Sequence, residues 1–484
     1  MAGAQSTLDV AKFLQQLEFT PFHRRILILS CLVTFFDGLD FSLISYTLPY
    51  IRDEMHLSDA MMGNVSSAAF LGQMIGSLVG SYIADVLGRR PVILACTALS
   101  ALFTFITGFA QTPETLMVLR FLGGLTIGGL LAPAWALNIE AMPAGKRATA
   151  VTVIMLGFSA GASAAGPITN IFAPAAGLYG QHLSALSILP APGWHLVFFI
   201  CGALTVALAL VLQFTLPESA RWMVAKSRPR ALIMPLLSRF DPGVDLSRYE
   251  HFHLSDERRS GASDSPLSKF GELFKGWLAF ITPLIWLAYF CSSFAIYLKT
   301  SFGVLFLEKL GISVQNATWI SSFGGLVGAV AGVFLLMLTE KRGPAGIALA
   351  PLLAIPFLLL VGFGIILDGA LFVPVIFIGT ILVGAGHAGV ISITSVYYPS
   401  GVRSTGGGWA SFMAKFAAVA APLIGSRLFL ADRQAVLDGY LFSAACLLGI
   451  IVCLLALAQF ARRLHAGREQ TLLTEPEAEA ASAA

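Results

Sequence analysis

The sequence predicts an all-α integral membrane protein, with twelve transmembrane helices in two six-helix bundles related by a parallel repeat. Three observations predict it: the composition, the number of apolar runs, and short patterns that recur at one fixed offset. Of 484 residues, 56% are hydrophobic and only 12% are charged, where soluble proteins carry about 25% charged residues. Mean hydropathy is +0.80. These values exclude a soluble enzyme, a disordered chain and a nucleic-acid binder. A net charge of +3 offers no global basic or acidic field. Forty-seven glycines suit membrane helices, because small residues let backbones approach closely.

A helix needs about 20 apolar residues to cross the hydrocarbon core. Runs of that length lie at roughly 26–50, 61–83, 91–110, 114–138, 148–172, 194–216, 277–306, 317–338, 344–366, 371–395, 405–430 and 438–461, numbered here as spans 1 to 12. They set five segments: an N-terminal segment 1–25, a first bundle 26–217, a central loop 218–275, a second bundle 276–461 and a tail 462–484. Residues 1–25 are polar and the first apolar run is too long for a signal peptide, so span 1 is expected to stay uncleaved. The tail, ending LLTEPEAEAASAA, reads as disordered. Of the 30 Lys and Arg, 23 fall in the segments that share a side with both termini, 4 on the other side and 3 within spans. The positive-inside rule therefore places both termini in the cytoplasm.

The repeat has a period of about 256 residues. PAGKRAT, from Pro143 to Thr149 after span 4, matches PSGVRST, from Pro399 to Thr405 after span 10. Gly72 and Gly76 in span 2 match Gly328 and Gly332 in span 8, and Asp85-x2-Gly88 matches Glu340-x2-Gly343 one residue out of register. Three agreements in the same order are not coincidence. Two parallel six-span units are the plan of a secondary transporter that exposes a midplane site to each side in turn. No phosphate-binding G-x4-G-K-[ST] loop is present, so the expected energy source is an ion gradient or the substrate's own gradient. Cys31, Cys96, Cys201, Cys291, Cys446 and Cys453 lie in apolar stretches without metal-ligand spacing and read as small buried hydrophobes. No cofactor, metal or catalytic group is expected.

At these motifs the chain resembles the major facilitator superfamily. SYIADVLGRR after span 2 is similar to that family's loop signature G-x3-D-R-x-G-R-[RK], with Asp85, Gly88, Arg89 and Arg90 matching, and with Ser81 and Val86 departing from it. PESARW after span 6, Arg120-x3-Gly124 in span 4 and the glycine-rich GFSAGASAAGP in span 5 are further matches. Two segments resemble one branch, the aromatic acid:proton symporters. FFDGLDF in span 1 is similar to its D-G-x-D, and YYPSGVRSTGGGWASFMAKF to its Y-P-x3-R-x-T-G-x-G-W-A followed by a basic residue, here Lys415 where arginine is usual. The resemblance implies a monomeric inner-membrane symporter that imports benzoates or hydroxybenzoates with protons. The rival readings are an exporter, a sugar-acid or organic-anion carrier, and a transporter-like sensor.

The charges inside the spans are the candidate site. Asp37 and Asp40 share one face of span 1. An ionised carboxylate in mid-membrane costs at least about 2.5–3.5 kcal/mol, so this pair is the candidate proton carrier, or else a structural pair bonded to neighbouring helices. Lys415 in span 11 is expected to receive the substrate carboxylate or to neutralise an aspartate. Arg120 is a candidate substrate-binding residue, or else pairs structurally with a span 1 aspartate, as the branch implies. Glu140 either relays protons or latches a gate. His387 in span 10 either bonds a phenolic hydroxyl or is a satisfied buried histidine. Lys299 is expected to snorkel to the outer interface. Tyr297 and Trp409 are candidate ring-stacking residues. Asp85, Gly88, Arg89, Arg90, Arg147 and Arg403 form a candidate cytoplasmic latch, with Asp85 pairing to Arg403; simple topology is the alternative.

Overall fold

The computed structural model describes residues 7–175, 177–182, 192–255, 270–342, 344–367, 369–398 and 402–482, with the side chains of 181–182, 336, 338–342, 344–345, 395–396, 404 and 461–482 excepted. Pro399, Gly343 and residues 256–269 of the central loop, all used above, lie outside the described residues. The side chains of the three tail arginines are likewise not described.

The architecture is all-α and membrane-spanning. Among the described residues, eleven helices are long and apolar enough to cross a bilayer, and a twelfth apolar stretch covers Gly346–Gly362. Spans 1 to 6 are helices Pro21–Met55, Asp59–Leu87, Arg89–Thr107, Pro113–Ala141, Arg147–Phe172 and Trp194–Thr215. Spans 7 to 12 are Leu278–Lys309, Val314–Arg342, Pro344–Gly362, Phe372–Ile391, Arg403–Phe429 and Arg433–Ser482. The last helix continues beyond span 12 into the stretch read as a disordered tail. Alanine and glutamate are frequent towards its end, and both are strong helix formers.

Close packing divides the chain into two compact units. One contains residues 1–262, 297–330 and 418–436; the other contains 263–296, 331–417 and 437–484. Span 1 lies against span 5 in the first unit because both are glycine-rich where they meet. A Cβ on Gly38 would run into the Phe158 carbonyl, and one on Gly161 into the Phe35 carbonyl. The second unit has an aliphatic core of Ile281, Ile285, Ile347, Val383, Ile450 and Leu454. Its buried Tyr398 donates to Thr282 Oγ1 at 3.2 Å.

The N-terminal segment is not simply polar. Thr7–Asp9 (β1) pairs in parallel with His251–His253 (β2), in register Thr7 to His251. Asp9 then caps helix Val10–Gln16, accepting from the amides of Ala11 and Lys12. Val10 and Leu14, one turn apart on this helix, bury against a cluster with Trp222, Ile233, Leu237 and Phe240 of the central loop. The average polarity of residues 1–25 conceals this one-sided pattern.

The first unit also brings second-half elements against first-half ones at the helix ends remote from the N-terminus. Arg52 and Glu308 form a two-point ion pair at 3.0 and 2.8 Å. Ser67 Oγ donates to the Val419 carbonyl at 2.9 Å, and Asn170 Nδ2 to the Gln315 carbonyl at 3.0 Å. Arg427 donates to Asn64 Oδ1 at 3.2 Å. Glu54 accepts from Trp194 Nε1 at 2.8 Å and from the His195 ring at 2.9 Å.

Candidate functional site

Span 1 places Asp37 and Asp40 inside the first unit, each 3% exposed. Their environments differ. Asp40 Oδ1 accepts from Arg120 Nη1 at 3.3 Å, and its Oδ2 accepts from Ser100 Oγ at 3.2 Å. Arg120 is fixed in turn by Thr107 Oγ1 at 3.0 Å and by the Phe198 ring 5.0 Å below its guanidinium. The expected pairing of Arg120 with a span 1 aspartate is thus present, and Asp40 is the partner. Asp37 has both carboxyl oxygens buried with no hydrogen-bond partner. One aspartate of the pair is therefore held by partners, and the other has no hydrogen-bond partner among the described residues.

Beside Asp40 and Arg120 runs a narrow cleft, lined also by Phe41, Ser66, Phe70 and Ser301. Tyr297 is at its edge, with its ring 5.0 Å from Phe70 and 6.4 Å from Phe41. Ser301 and Ser66 were not singled out in the sequence, because serine in a membrane helix carries no pattern of its own. Lys299 is half-buried ten residues before the end of its helix.

The residues after span 2 form a charge network with the ends of spans 4 and 6. Arg89 bridges Asp85 at 3.2 Å and Glu140 at 3.0 Å. Ser219 Oγ donates to the other Glu140 oxygen. Glu218 accepts from the backbone amides of Arg89 at 3.0 Å and Arg90 at 3.2 Å. These are orphan donors at the start of span 3, so Glu218 caps that helix from a distance. The chain enters the helix through Gly88 at φ +119°, a conformation that favours glycine. Arg90 turns away to the carbonyls of Leu216 and Gln213 at 2.8 and 2.6 Å. Burial pushes the Glu218 carboxyl above its ordinary range, against the opposing pull of the Ser219, Arg90 and Arg89 amides and the Arg89 charge. Within the first unit, Asp85 is paired with Arg89, four residues further on. The PESARW match located Glu218 and Ser219 in the sequence but not their roles.

Arg147 Nε donates to the Met142 carbonyl at 3.3 Å, and Arg403 Nε donates to the Tyr398 carbonyl at 3.1 Å. Both members of the second bond stand one repeat period after those of the first. The second unit holds the remaining candidates. His387 Nδ1 shares a hydrogen bond with Ser292 Oγ at 3.0 Å. Trp409 stacks with Trp286 at 6.0 Å and meets Phe270 at 4.6 Å. Lys415 is half-buried on the same helix as Trp409.

The family model of the Major Facilitator Superfamily matches residues 30–422. The 4-hydroxybenzoate transporter PcaK of Pseudomonas aeruginosa is 30% identical over 430 residues, covering 88% of this chain and 90% of that protein. The gallate transporter of Pseudomonas putida is 27% identical, covering 86% and 88%. Among solved structures, a bacterial homologue of the human lysosomal transporter Spinster aligns with a TM-score of 0.68 at 18% identity, covering 92% of this chain and 99% of that one. The xylose transporter XylE of E. coli aligns at 0.64 and 14% identity, covering 91% and 99%.

Proposed function

This chain belongs to the major facilitator superfamily, a multi-pass membrane transporter rather than an enzyme, and we propose from that premise that it imports an aromatic carboxylate with protons. The relatives named as 4-hydroxybenzoate, gallate and benzoate transporters support the substrate class. The observation that carries the coupling is the split between the two span 1 aspartates. Asp40 is neutralised by Arg120, so its charge is spoken for. Asp37 has no counter-charge and no hydrogen-bond partner, which suits a group that takes up and gives up a proton during each cycle.

In this reading the substrate carboxylate meets Lys415 of span 11; Trp409, on the same helix, and Tyr297, in the first unit, are each candidates for stacking on its ring. His387, already bonded to Ser292, is a satisfied histidine. Glu140 acts as a latch with Arg89 and Ser219. The Lys and Arg bias supports an inner-membrane orientation with both termini in the cytoplasm, so the network around Asp85, Gly88, Arg89 and Arg90 faces the cytoplasm. Arg147 and Arg403 brace the equivalent loops of the two halves there. The chain works as a monomer, with the bilayer as its surroundings and no nucleic-acid partner.

The test is uptake of labelled 4-hydroxybenzoate by proteoliposomes under an imposed pH gradient. Accumulation is expected when the outside is acidic, with collapse on adding a protonophore. Accumulation only under the reverse gradient identifies an exporter. Binding without flux identifies a sensor.

A further inference from the structure

The cleft beside Asp40 contains hydrogen-bonding groups that the protein leaves unused. Ser66 Oγ on span 2, Ser301 Oγ on span 7 and Arg120 Nε on span 4 are buried without partners, on residues only 2%, 2% and 3% exposed. All three residues line the one cleft. Buried polar groups are nearly always satisfied, so three orphans on residues that line one cleft point to a ligand group that completes them.

The chemistry of the set selects that group. Arg120 Nε–H only donates, whereas each serine hydroxyl donates and accepts. Asp40 already balances the Arg120 charge at 3.3 Å, so the pair lining the cleft is neutral as built. A second carboxylate there would lie beside Asp40 with no cation left to meet it. A neutral hydroxyl meets no such opposition: it accepts from Arg120 Nε and donates to a serine oxygen. Size agrees, because the cleft has room for about one water-sized group, which admits a hydroxyl and not an aromatic ring. Phe41, Phe70 and Tyr297, with ring centres 5.0–6.4 Å apart, stand beside it as apolar surfaces for the ring that carries the hydroxyl.

We propose that Ser66, Ser301 and Arg120 form a subsite that reads a hydroxyl on the substrate ring, so that the chain favours hydroxylated aromatic acids over unsubstituted benzoate. The inference rests on the transport reading above. The experiment measures initial uptake of benzoate, 3-hydroxybenzoate and 4-hydroxybenzoate by proteoliposomes of the full chain, for wild type, Ser66→Ala and Ser301→Ala. Wild type is expected to prefer at least one hydroxylated acid about tenfold in kcat/KM, and each alanine variant to lose most of that preference. A preference unaltered by both substitutions overturns the subsite and leaves the transport reading standing. Uptake of none of the three acids by wild type overturns both. Should the variants not reach the membrane, wild type alone decides. 4-Methoxybenzoate cannot donate a hydrogen bond and is too bulky for the cleft, so it is expected to compete with 4-hydroxybenzoate no better than benzoate does. Competition equal to that of 4-hydroxybenzoate itself overturns the subsite.

Discussion

Arg52 and Glu308 are joined by two hydrogen bonds and are separated by 256 residues, the period at which the sequence repeats. They are equivalent positions, one at the end of span 1 and the other at the end of span 7. Neither is a residue that the motifs distinguish; Arg52 enters the sequence reading only as a charge on the sparsely charged side. The two copies of the repeat thus meet each other through one shared position that has become a cation in one copy and an anion in the other.

Breaking that pair is expected to loosen the contact between the ends of spans 1 and 7. A partly exposed two-point pair is worth about 1 kcal/mol, so Arg52→Gln or Glu308→Gln should shift the conformational population about fivefold. Cysteine-reagent access from the side remote from the termini should rise by that factor at nearby positions. The double variant should be no more accessible than either single one. Additive effects would mean that the two charges act independently.

The two span 1 aspartates should fail in different ways. Asp37→Asn is expected to abolish gradient-driven accumulation while preserving substrate exchange and melting temperature. Asp40→Asn strands the Arg120 guanidinium without its counter-charge, which costs about 3–5 kcal/mol, so it should lower the melting temperature. Adding Arg120→Gln should recover part of that loss. Equal melting of both single variants would contradict the division of labour.

Glu218 should matter for stability through two backbone amides. Glu218→Ala leaves the start of span 3 uncapped, a loss of about 0.5–2 kcal/mol, and Glu218→Gln should lose less. The sign of the pH effect follows from the raised carboxyl. The folded state holds the proton more tightly than the unfolded one, so this contribution is fully present below the ordinary value of 4.5 and is lost as pH rises through the higher folded value. Thermal melting of wild type from pH 4 upward should therefore fall relative to Glu218→Gln, and a parallel course of the two would refute it.

Glycine substitutions separate packing from backbone preference. Alanine at Gly38 or Gly161 meets a backbone carbonyl of the facing helix and is expected to cost about 1–3 kcal/mol. Alanine at Gly145, with open space around it, should change little. Melting temperatures of the three variants measure the difference.

Much of this was readable from the sequence because membrane helices announce themselves by length and polarity. The spans, the repeat and the pairing of Arg120 with a span 1 aspartate all have local or motif signals. The choice of Asp40 over Asp37 did not, since it depends on Ser100 and Arg120 arriving from two other helices. Nor did the cap by Glu218, which lies 129 residues from the amide of Arg89. The association of Thr7–Asp9 with His251–His253 was equally hidden, because three residues are too few to show a strand period.

The same strand pair sets an order of events during synthesis. Thr7 leaves the ribosome early, but its register partner His251 emerges only after all six helices of the first half. At about 5–20 residues per second the interval is more than ten seconds, during which Val10 and Leu14 have no central-loop surface to cover. The N-terminal segment can therefore take up this contact only after the whole first half has been synthesised.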